Sequence, residues 1–241
     1  MSKGGKQQVS KNFRKKVEEV LKEDVEVKSI APQITRNTRI TNALTDNILQ
    51  VVKLTPQIGQ GSGQGDRVGN RVTTKKAMLY FSAHAFQITS NPNIDPPKYL
   101  DIYIYKYKRS NNQDAIILNN FLQYGSTSIA YDSLVVPESG SFDVNRDKFT
   151  LKKHIRKMVW NPTDVNTYAR STRALNAIQM KLDITKYLKK DLLFDDDVTS
   201  SVSNDNLYIS CVYTNNDDNG YSNATVVGEY DVSFFYDYTD Q

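Results

Sequence analysis

The sequence contains few of the residues on which catalysis, metal binding or disulfide bonding depends. Cys211 is the single cysteine among 241 residues, so an intrachain disulfide is excluded and folding in a reducing compartment is expected. The two histidines, His84 and His154, lie in separate strand-like patterns, which argues against a zinc site. No apolar run reaches the roughly 18 residues that a membrane-spanning helix needs. We therefore predict a protein that is not an enzyme and has no membrane partner.

The net charge is small, but the cations are concentrated near the N-terminus. The chain has a formal charge of +4, and residues 1–22 hold seven cations against two glutamates. A basic segment on a near-neutral body is typical of a tether for a polyanion, either nucleic acid or an acidic membrane surface. We predict that these cations bind nucleic acid through its phosphates: Lys3, Lys6, Lys11, Arg14, Lys15, Lys16 and Lys22.

An amphipathic helix is predicted within this basic segment, over residues 10–27. Phe13, Val17, Val20 and Val27 repeat at helical spacing, and Ser10 can cap the first turn. An isolated helix of this length is marginal in water, so it needs partner helices or a polyanion for stability. One alternative remains open, in which the helix docks on its own domain.

A glycine-rich tract precedes one of the longest strand-like runs. Five glycines lie between Gly59 and Gly69, where we expect a flexible backbone with positive φ. The tract lacks the Gly-Lys pair of a P-loop, and a strand follows it, whereas a helix would follow in a dinucleotide-binding fold. We therefore interpret the tract as a flexible connection from the N-terminal arm into the first long strand.

Alternating apolar residues predict at least six strands. They cover residues 72–86, 100–109, 149–160, 174–184, 207–213 and 226–236. The loops between them are rich in Asn, Asp and Ser and are longer than hairpins need, which predicts an all-β antiparallel sandwich of the jelly-roll type. Residues 29–57 are predicted to be a polar connection with a short strand or extended arm at residues 49–54. Residues 113–123 have the spacing of a short helix.

The strand patterns also predict the direction of individual side chains. Ile102 and Ile104 should face the core, with the neighbouring tyrosines on the opposite face. Phe149 and Ile155 should share one face of a regular strand. Residues 103–109 and 152–157 combine cations with aromatic rings, and two explanations remain open for the tyrosines. They stack on the bases of a single strand, or they pack against a neighbouring subunit.

Two acidic clusters occur in predicted loops, at residues 195–197 and 217–218. Their carboxylates could ligate calcium, but neither cluster has EF-hand spacing, and solvated loop charge is the competing explanation. We predict no cofactor and leave calcium open. His84 and His154 are interpreted as packed strand residues, and Cys211 as a small buried side chain that is not a nucleophile.

The order of these segments resembles that of small viral capsid proteins with a single jelly roll. The similar segments are IGQGSGQGDRVGNRV at residues 58–72, residues 100–109, the predicted helix at residues 114–122, RDKFTLKK at residues 146–153 and residues 233–241. The resemblance is to the coat protein of satellite tobacco necrosis virus and its relatives. It extends to the capsid proteins of circular, Rep-encoding single-stranded DNA viruses.

This resemblance implies an eight-stranded antiparallel jelly-roll shell domain over residues 41–241 and a basic helical arm over residues 1–40. It also implies a virion protein that self-assembles into an icosahedral shell, with the arm helices grouped in threes and sequence-nonspecific contacts to the viral genome. The expected locations are the virion and the host cell interior, where Lys11, Arg14, Lys15 and Lys16 could serve nuclear import. The alternative is a soluble lectin-like β-sandwich whose amphipathic helix binds a membrane or a partner.

Overall fold

The computed structural model describes residues 13, 15–16, 26–41, 51–85, 98–108, 121–129, 142–159, 177–195, 200–214 and 226–240, and its body is all-β, while residues 13 and 15–16 are helical. A short 3-10 turn, Thr185–Tyr187, follows the tenth strand. The strands are β1 (Lys28–Ser29), β2 (Gln33–Thr41), β3 (Val51–Lys53), β4 (Arg71–Ala85), β5 (Lys98–Tyr107), β6 (Leu122–Tyr124), β7 (Thr127–Ile129), β8 (Asp143–Val144), β9 (Phe149–Val159), β10 (Ile178–Asp183), β11 (Asp191–Leu193), β12 (Leu207–Thr214) and β13 (Val226–Asp240).

Ten of these strands form one curled sheet with two halves. The main order is β10-β4-β13-β2-β12-β5-β9, while β1 pairs with β13, β11 with β4 and β3 with β12. The strands pair antiparallel except for β2 and β12, which share one parallel bridge between Thr41 and Val212. The predicted all-antiparallel arrangement is therefore wrong at this junction, and the sheet is mixed. Strands β7, β6 and β8 form a second, small sheet.

The two halves of the curled sheet face each other across the main apolar core. Leu79 and Phe81 of β4 and Phe234 of β13 contribute from one half, and Ile104 of β5 and Ile209 of β12 from the other. Burial of one such side chain stabilises a fold by roughly 1.5–3 kcal/mol. Among the described strands, one backbone bridge joins the two halves, so the apolar side chains of the core hold them together. This arrangement is consistent with a β-sandwich.

A smaller apolar core lies on the opposite face of β5. Tyr103, Tyr105 and Tyr107 contact Phe121 and Phe149 there, with ring centroids 5.0 to 5.5 Å apart. Residues of β6 and β8 complete this core. β5 is therefore buried on both faces, and the predicted inward direction of its isoleucines is confirmed.

The two longest strands, β4 and β13, confirm the predicted alternation. Leu79 and Phe81 point into the main core, whereas Tyr80 is exposed on the outer face. Val232 and Phe234 of β13 likewise point inward. These strands pair along almost their whole length, and each carries the period-two pattern that a half-buried strand requires.

β2 lies where the sequence pattern predicts a polar connection. Ile34, Thr35, Arg36 and Asn37 are all exposed, so the strand has no apolar alternation there. It is held instead by backbone pairing with β13 and by a bulge, in which the N–H of Asn37 (φ 55°) donates to Asp231 Oδ1 at 2.8 Å. The predicted connection is wrong for residues 33–41, while β3 confirms a short strand within residues 49–54.

β9 departs from the regular alternation that its sequence predicts. Its register against β5 shifts next to Lys152, which forms a β-bulge. One extra residue exchanges the two faces of a strand. Phe149, before the bulge, therefore lies in the smaller core, whereas Ile155, after it, packs against the main core. The predicted common face for these two residues is wrong.

The described residues show no continuous basic helical arm. Within the predicted helix over residues 10–27, Phe13, Lys15 and Lys16 are helical, Glu26 and Val27 are not, and the rest lies outside the described residues. Residues 113–120 of the second predicted helix lie outside them as well. The end of that second prediction is wrong, because residues 122–123 belong to β6.

Buried tyrosines predict how the fold responds to alkali. Burial raises the pKa of Tyr238 to about 12 and raises the pKa of Tyr105, Tyr213 and Tyr230 above the usual range. An unfolded tyrosine has a pKa of about 10. The neutral phenols therefore contribute their full stability below about pH 10, and this contribution is lost as the pH rises toward about 12.

We expect the ionisation of these phenols to coincide with unfolding above about pH 10. The ultraviolet absorbance of tyrosinate, recorded beside the circular dichroism of the sheet, checks this. Ionisation of all the tyrosines in a folded protein would contradict the burial described above.

Candidate nucleic-acid interface

The body of the protein carries a basic strand in addition to the basic N-terminal segment. β9, with the sequence FTLKKHIRKMV, contains Lys152, Lys153, Arg156 and Lys157 and no carboxylate. It ends the main strand order, so one of its edges has no strand partner within the described sheet. Charged side chains protect such an edge from pairing with other chains. The same cations also attract a polyanion.

A buried carboxylate fixes two of the basic side chains on β9. Asp101 of β5 is 0% exposed and lies in register with Arg156. Nε and Nη2 of Arg156 donate to Oδ1 and Oδ2 of Asp101 at 2.7 and 2.9 Å, a bidentate geometry. Nε2 of His154 lies 2.7 Å from Oδ1, and its ring stacks on Tyr103 with centroids 4.4 Å apart. Arg156 and His154 are therefore structural residues of the strand.

Three lysines of β9 remain as candidate phosphate contacts. No ion pair involves Lys152, Lys153 or Lys157 within the described part of the chain. Lys157 is exposed, and Lys152 and Lys153 are half-buried. Lysine contacts of this kind attract phosphates through charge and carry no sequence information. The strand can therefore add affinity for nucleic acid without selecting a sequence.

The tyrosines beside β9 do not stack on bases. Tyr103, Tyr105 and Tyr107 are at most 7% exposed. Base stacking on a protein requires an accessible aromatic face. The stacking interpretation is therefore wrong for these residues. They pack in the chain's own smaller core, so packing against a neighbouring subunit does not explain them either.

The glycine-rich tract encloses a carboxylate of its own. The N–H of Gly63 donates to Asp66 Oδ2 at 3.0 Å, and a β-carbon at Gly61 or Gly63 would lie 2.5 or 2.7 Å from that oxygen. A larger residue at either position would therefore displace the Asp66 carboxylate. The expected positive φ is wrong, since Gly125 is the one glycine with positive φ among the described residues. An internal carboxylate fills the concave side of the tract where a phosphate would have to bind.

Arg67 fixes the same tract to the body of the protein. Its side chain is fully buried, and Nη1 donates to the Gly69 carbonyl at 2.6 Å and to Asn70 Oδ1 at 2.7 Å. Nε donates to the Ile58 carbonyl at 3.3 Å. The guanidinium also lies 4.4 Å from the ring centroid of Phe194, a cation–π contact. These bonds hold the tract in one conformation, which replaces the expected flexible connection.

The predicted nucleic-acid-binding residues lie mostly outside the described part of the chain. Lys15 and Lys16 are described, and both are exposed. Lys3, Lys6, Lys11, Arg14 and Lys22 lie outside it.

The next cation along the chain, Lys28 of β1, anchors the basic segment to the body. Lys28 Nζ lies 2.7 Å from Asp240 Oδ2 and donates to the Asp66 carbonyl at 2.9 Å. The basic segment therefore joins the body beside the C-terminal end of β13.

The remaining candidate residues contribute no catalytic geometry within the described residues. Burial raises the pKa of the Cys211 thiol well above its usual range, which confirms an unreactive buried side chain. Nε2 of His84 lies 3.8 Å from Oε2 of Glu229 on the neighbouring strand. No group of three or more metal-ligating residues occurs among the described residues. Asp195 is the described member of the two acidic clusters, so calcium at these clusters stays a prediction.

The carboxylates of Asp101 and Asp66 organise these sites, and the sequence pattern singles out neither of them. One signal exists for Asp101, because it is the lone charged residue in the apolar run YLDIYIY. No comparable signal in the sequence marks Asp66. Its contact with the glycine-rich tract depends on the folded conformation of that tract.

A scan against protein-family models found no match to this chain, and a search of curated proteins found none either. Within the described residues, no helix has the length and apolar character needed to cross a membrane.

Proposed function

We propose that the chain is a viral capsid protein, a structural and non-enzymatic protein whose basic N-terminal segment binds the packaged genome. The observation that carries this proposal is the distribution of charge on an all-β body. Seven cations lie within residues 1–22, and they join a curled sheet that carries a second basic strand, β9. The ordered segments that resemble small capsid proteins support a single eight-stranded jelly roll as the body.

Assembly into a shell would make weak phosphate contacts effective. Each copy offers about seven N-terminal cations, and many copies on one shell act on the same polyanion, so binding gains from avidity. Contacts to phosphates select no base sequence. The proposed partners are therefore further copies of this chain, with arm helices grouped in threes, and a viral genome bound without sequence preference. The proposed location is the virion, and the host cell interior during assembly.

Deletion of residues 1–25 should leave shells that lack packaged nucleic acid. The deletion ends before Lys28, because that residue is part of the folded body. Removal of seven cations should also reduce the slope of log affinity against log salt by about 5 for single-stranded nucleic acid. Electron microscopy, the ratio of ultraviolet absorbance at nucleic-acid and protein wavelengths, and salt titration of a labelled oligonucleotide measure these effects.

A charge-preserving variant provides the matched control for this deletion. Replacing the N-terminal lysines with arginine keeps the charge, so packaging should persist. Unchanged packaging after the deletion would contradict the role of the N-terminal segment and would assign binding to β9. Discrete monomers or dimers without shells would contradict the capsid proposal and favour the lectin-like binding module.

A further inference from the structure

The outer face of the β4–β13 half presents an exposed apolar patch. Tyr80 of β4, Phe235 of β13 and Ile34 of β2 are 41%, 39% and 53% exposed. The rings of Tyr80 and Phe235 meet edge to face with centroids 5.1 Å apart, and Ser233, which pairs with Tyr80 on one side, pairs with Ile34 on the other. These three residues, called the outer patch below, lie on one sheet face across three strands, with Ser233 between Tyr80 and Ile34.

Charges flank the outer patch with opposite signs on its two central strands. β4 presents Lys76 on this face, in register with Asp237 of β13. Farther along the pair, β13 presents Asp231 and Glu229. On these two strands the cation therefore lies on β4 and the carboxylates on β13, while the flanking strands add Arg39 of β2, in register with Glu229, and Asp183 of β10, in register with Met78.

We propose that this face binds the same face of a second copy of the chain, about a two-fold axis parallel to the seam between β4 and β13. The inference rests on the self-association in the proposed function and assigns one of its contacts. Rotation about this axis places β4 of one copy over β13 of the other. Lys76 then faces Asp237 of the second copy, and Met78 faces its Phe235.

A second copy matches the charges on the two central strands, whereas other occupants match one sign of them. A polyanion would meet the carboxylates on β13, and the chain's own basic N-terminal segment would meet Lys76 and Lys181. A two-fold contact is self-complementary, so Lys76 of each copy faces Asp237 of the other. An apolar centre with a charged rim is also the usual anatomy of a protein interface.

The test uses two single charge reversals of the full-length chain, Lys76→Glu and Asp237→Lys. Each homodimer would then bring like charges together, so each variant alone should dimerise at least about tenfold more weakly than the unmodified protein. An equimolar mixture of the two variants should recover dimerisation. In the mixed dimer, the introduced carboxylate of one chain faces the introduced ammonium group of the other, and the unmodified Lys76 faces the unmodified Asp237. Sedimentation velocity and energy transfer between differently labelled chains measure this.

The mixed sample distinguishes the proposed contact between copies from the pairing of Lys76 with Asp237 within one chain. Mixing can restore the contact between copies, but it cannot restore the pair within a chain, because each variant chain keeps its own substitution. The double variant carrying both reversals should dimerise like the unmodified protein, which covers the case in which one single variant folds poorly. The variant Phe235→Ser should also dissociate the dimer, since it removes the apolar centre.

Each contrary result has a distinct meaning. Single variants that dimerise normally, or a mixture that stays monomeric, would overturn the inference. Loss of the dimer on deletion of residues 1–25 with normal dimers in both charge variants would assign the face to the N-terminal segment. Loss of oligonucleotide binding in Phe235→Ser with an intact dimer would assign it to nucleic acid. Shells that persist without this dimer would overturn the inference and support the capsid proposal. Dimers that form without shells would support the inference and contradict the capsid proposal.

Discussion

Replacing Arg67 with methionine should lower the free energy of unfolding by about 3 kcal/mol. Methionine fills part of the space but donates no hydrogen bond, so the carbonyls of Ile58 and Gly69 and the amide oxygen of Asn70 lose a donor. The cation–π contact with Phe194 is lost as well. Denaturant unfolding followed by circular dichroism measures the change.

The substitution should also expose the glycine-rich tract to proteolysis, because Arg67 joins the two ends of the loop. Arg71→Met is the matched control, since Arg71 is exposed and its ion pair with Asp191 is a surface contact. Its expected cost is below about 1 kcal/mol. Equal costs for the two substitutions would show that Arg67 does not hold the tract to the body.

Replacing Arg156 with methionine should cost about 3–5 kcal/mol of folding stability, because it leaves the carboxylate of Asp101 buried without its bidentate partner. Asp101→Leu should cost less. The side chain of Arg156 is 25% exposed, so it can turn toward water when Asp101 is absent, whereas Asp101 is 0% exposed and cannot.

The double variant should be more stable than Arg156→Met alone, since it removes a buried carboxylate that has lost its bidentate partner and keeps the contact with His154 Nε2. Denaturant unfolding of the four proteins gives the coupling energy of the pair. The control is Lys157→Met on the same strand, an exposed residue whose replacement should change stability by less than about 0.5 kcal/mol. Additive costs would contradict a coupled, buried pair.

The sequence predicts strands well where one face is buried and poorly where the backbone alone holds the strand. β4 and β13 alternate apolar and polar residues, and their described core residues lie on the predicted faces. β2 has no such alternation because it is held by pairing with β13 and by the Asn37 bulge. The sequence gives no signal for the bulge at Lys152 either, yet the bulge exchanges the two faces of β9.

The sequence likewise predicts some features of the candidate interface and not others. The concentration of cations in β9 can be read directly from KKHIRK, and the burial of Cys211 follows from its place in an apolar strand. The tertiary partners of these residues cannot be read in this way. Asp101 meets Arg156 because β5 and β9 pair in one particular register, and the tyrosines of β5 are covered because the small β6–β8 sheet packs on them. These contacts depend on residues far apart along the chain.

Among the described residues, Thr41 and Val212 form the one bridge between the two halves, and we expect the sheet to bend more easily there than elsewhere. A fully paired sheet resists bending because bending breaks a row of backbone hydrogen bonds, whereas here one residue pair spans the junction. The angle between the two halves is set by side chains in the main core, which can slide over one another at small cost while they remain buried. If the chain assembles as proposed, we expect copies in unequal surroundings to differ in the angle between their two halves at this junction.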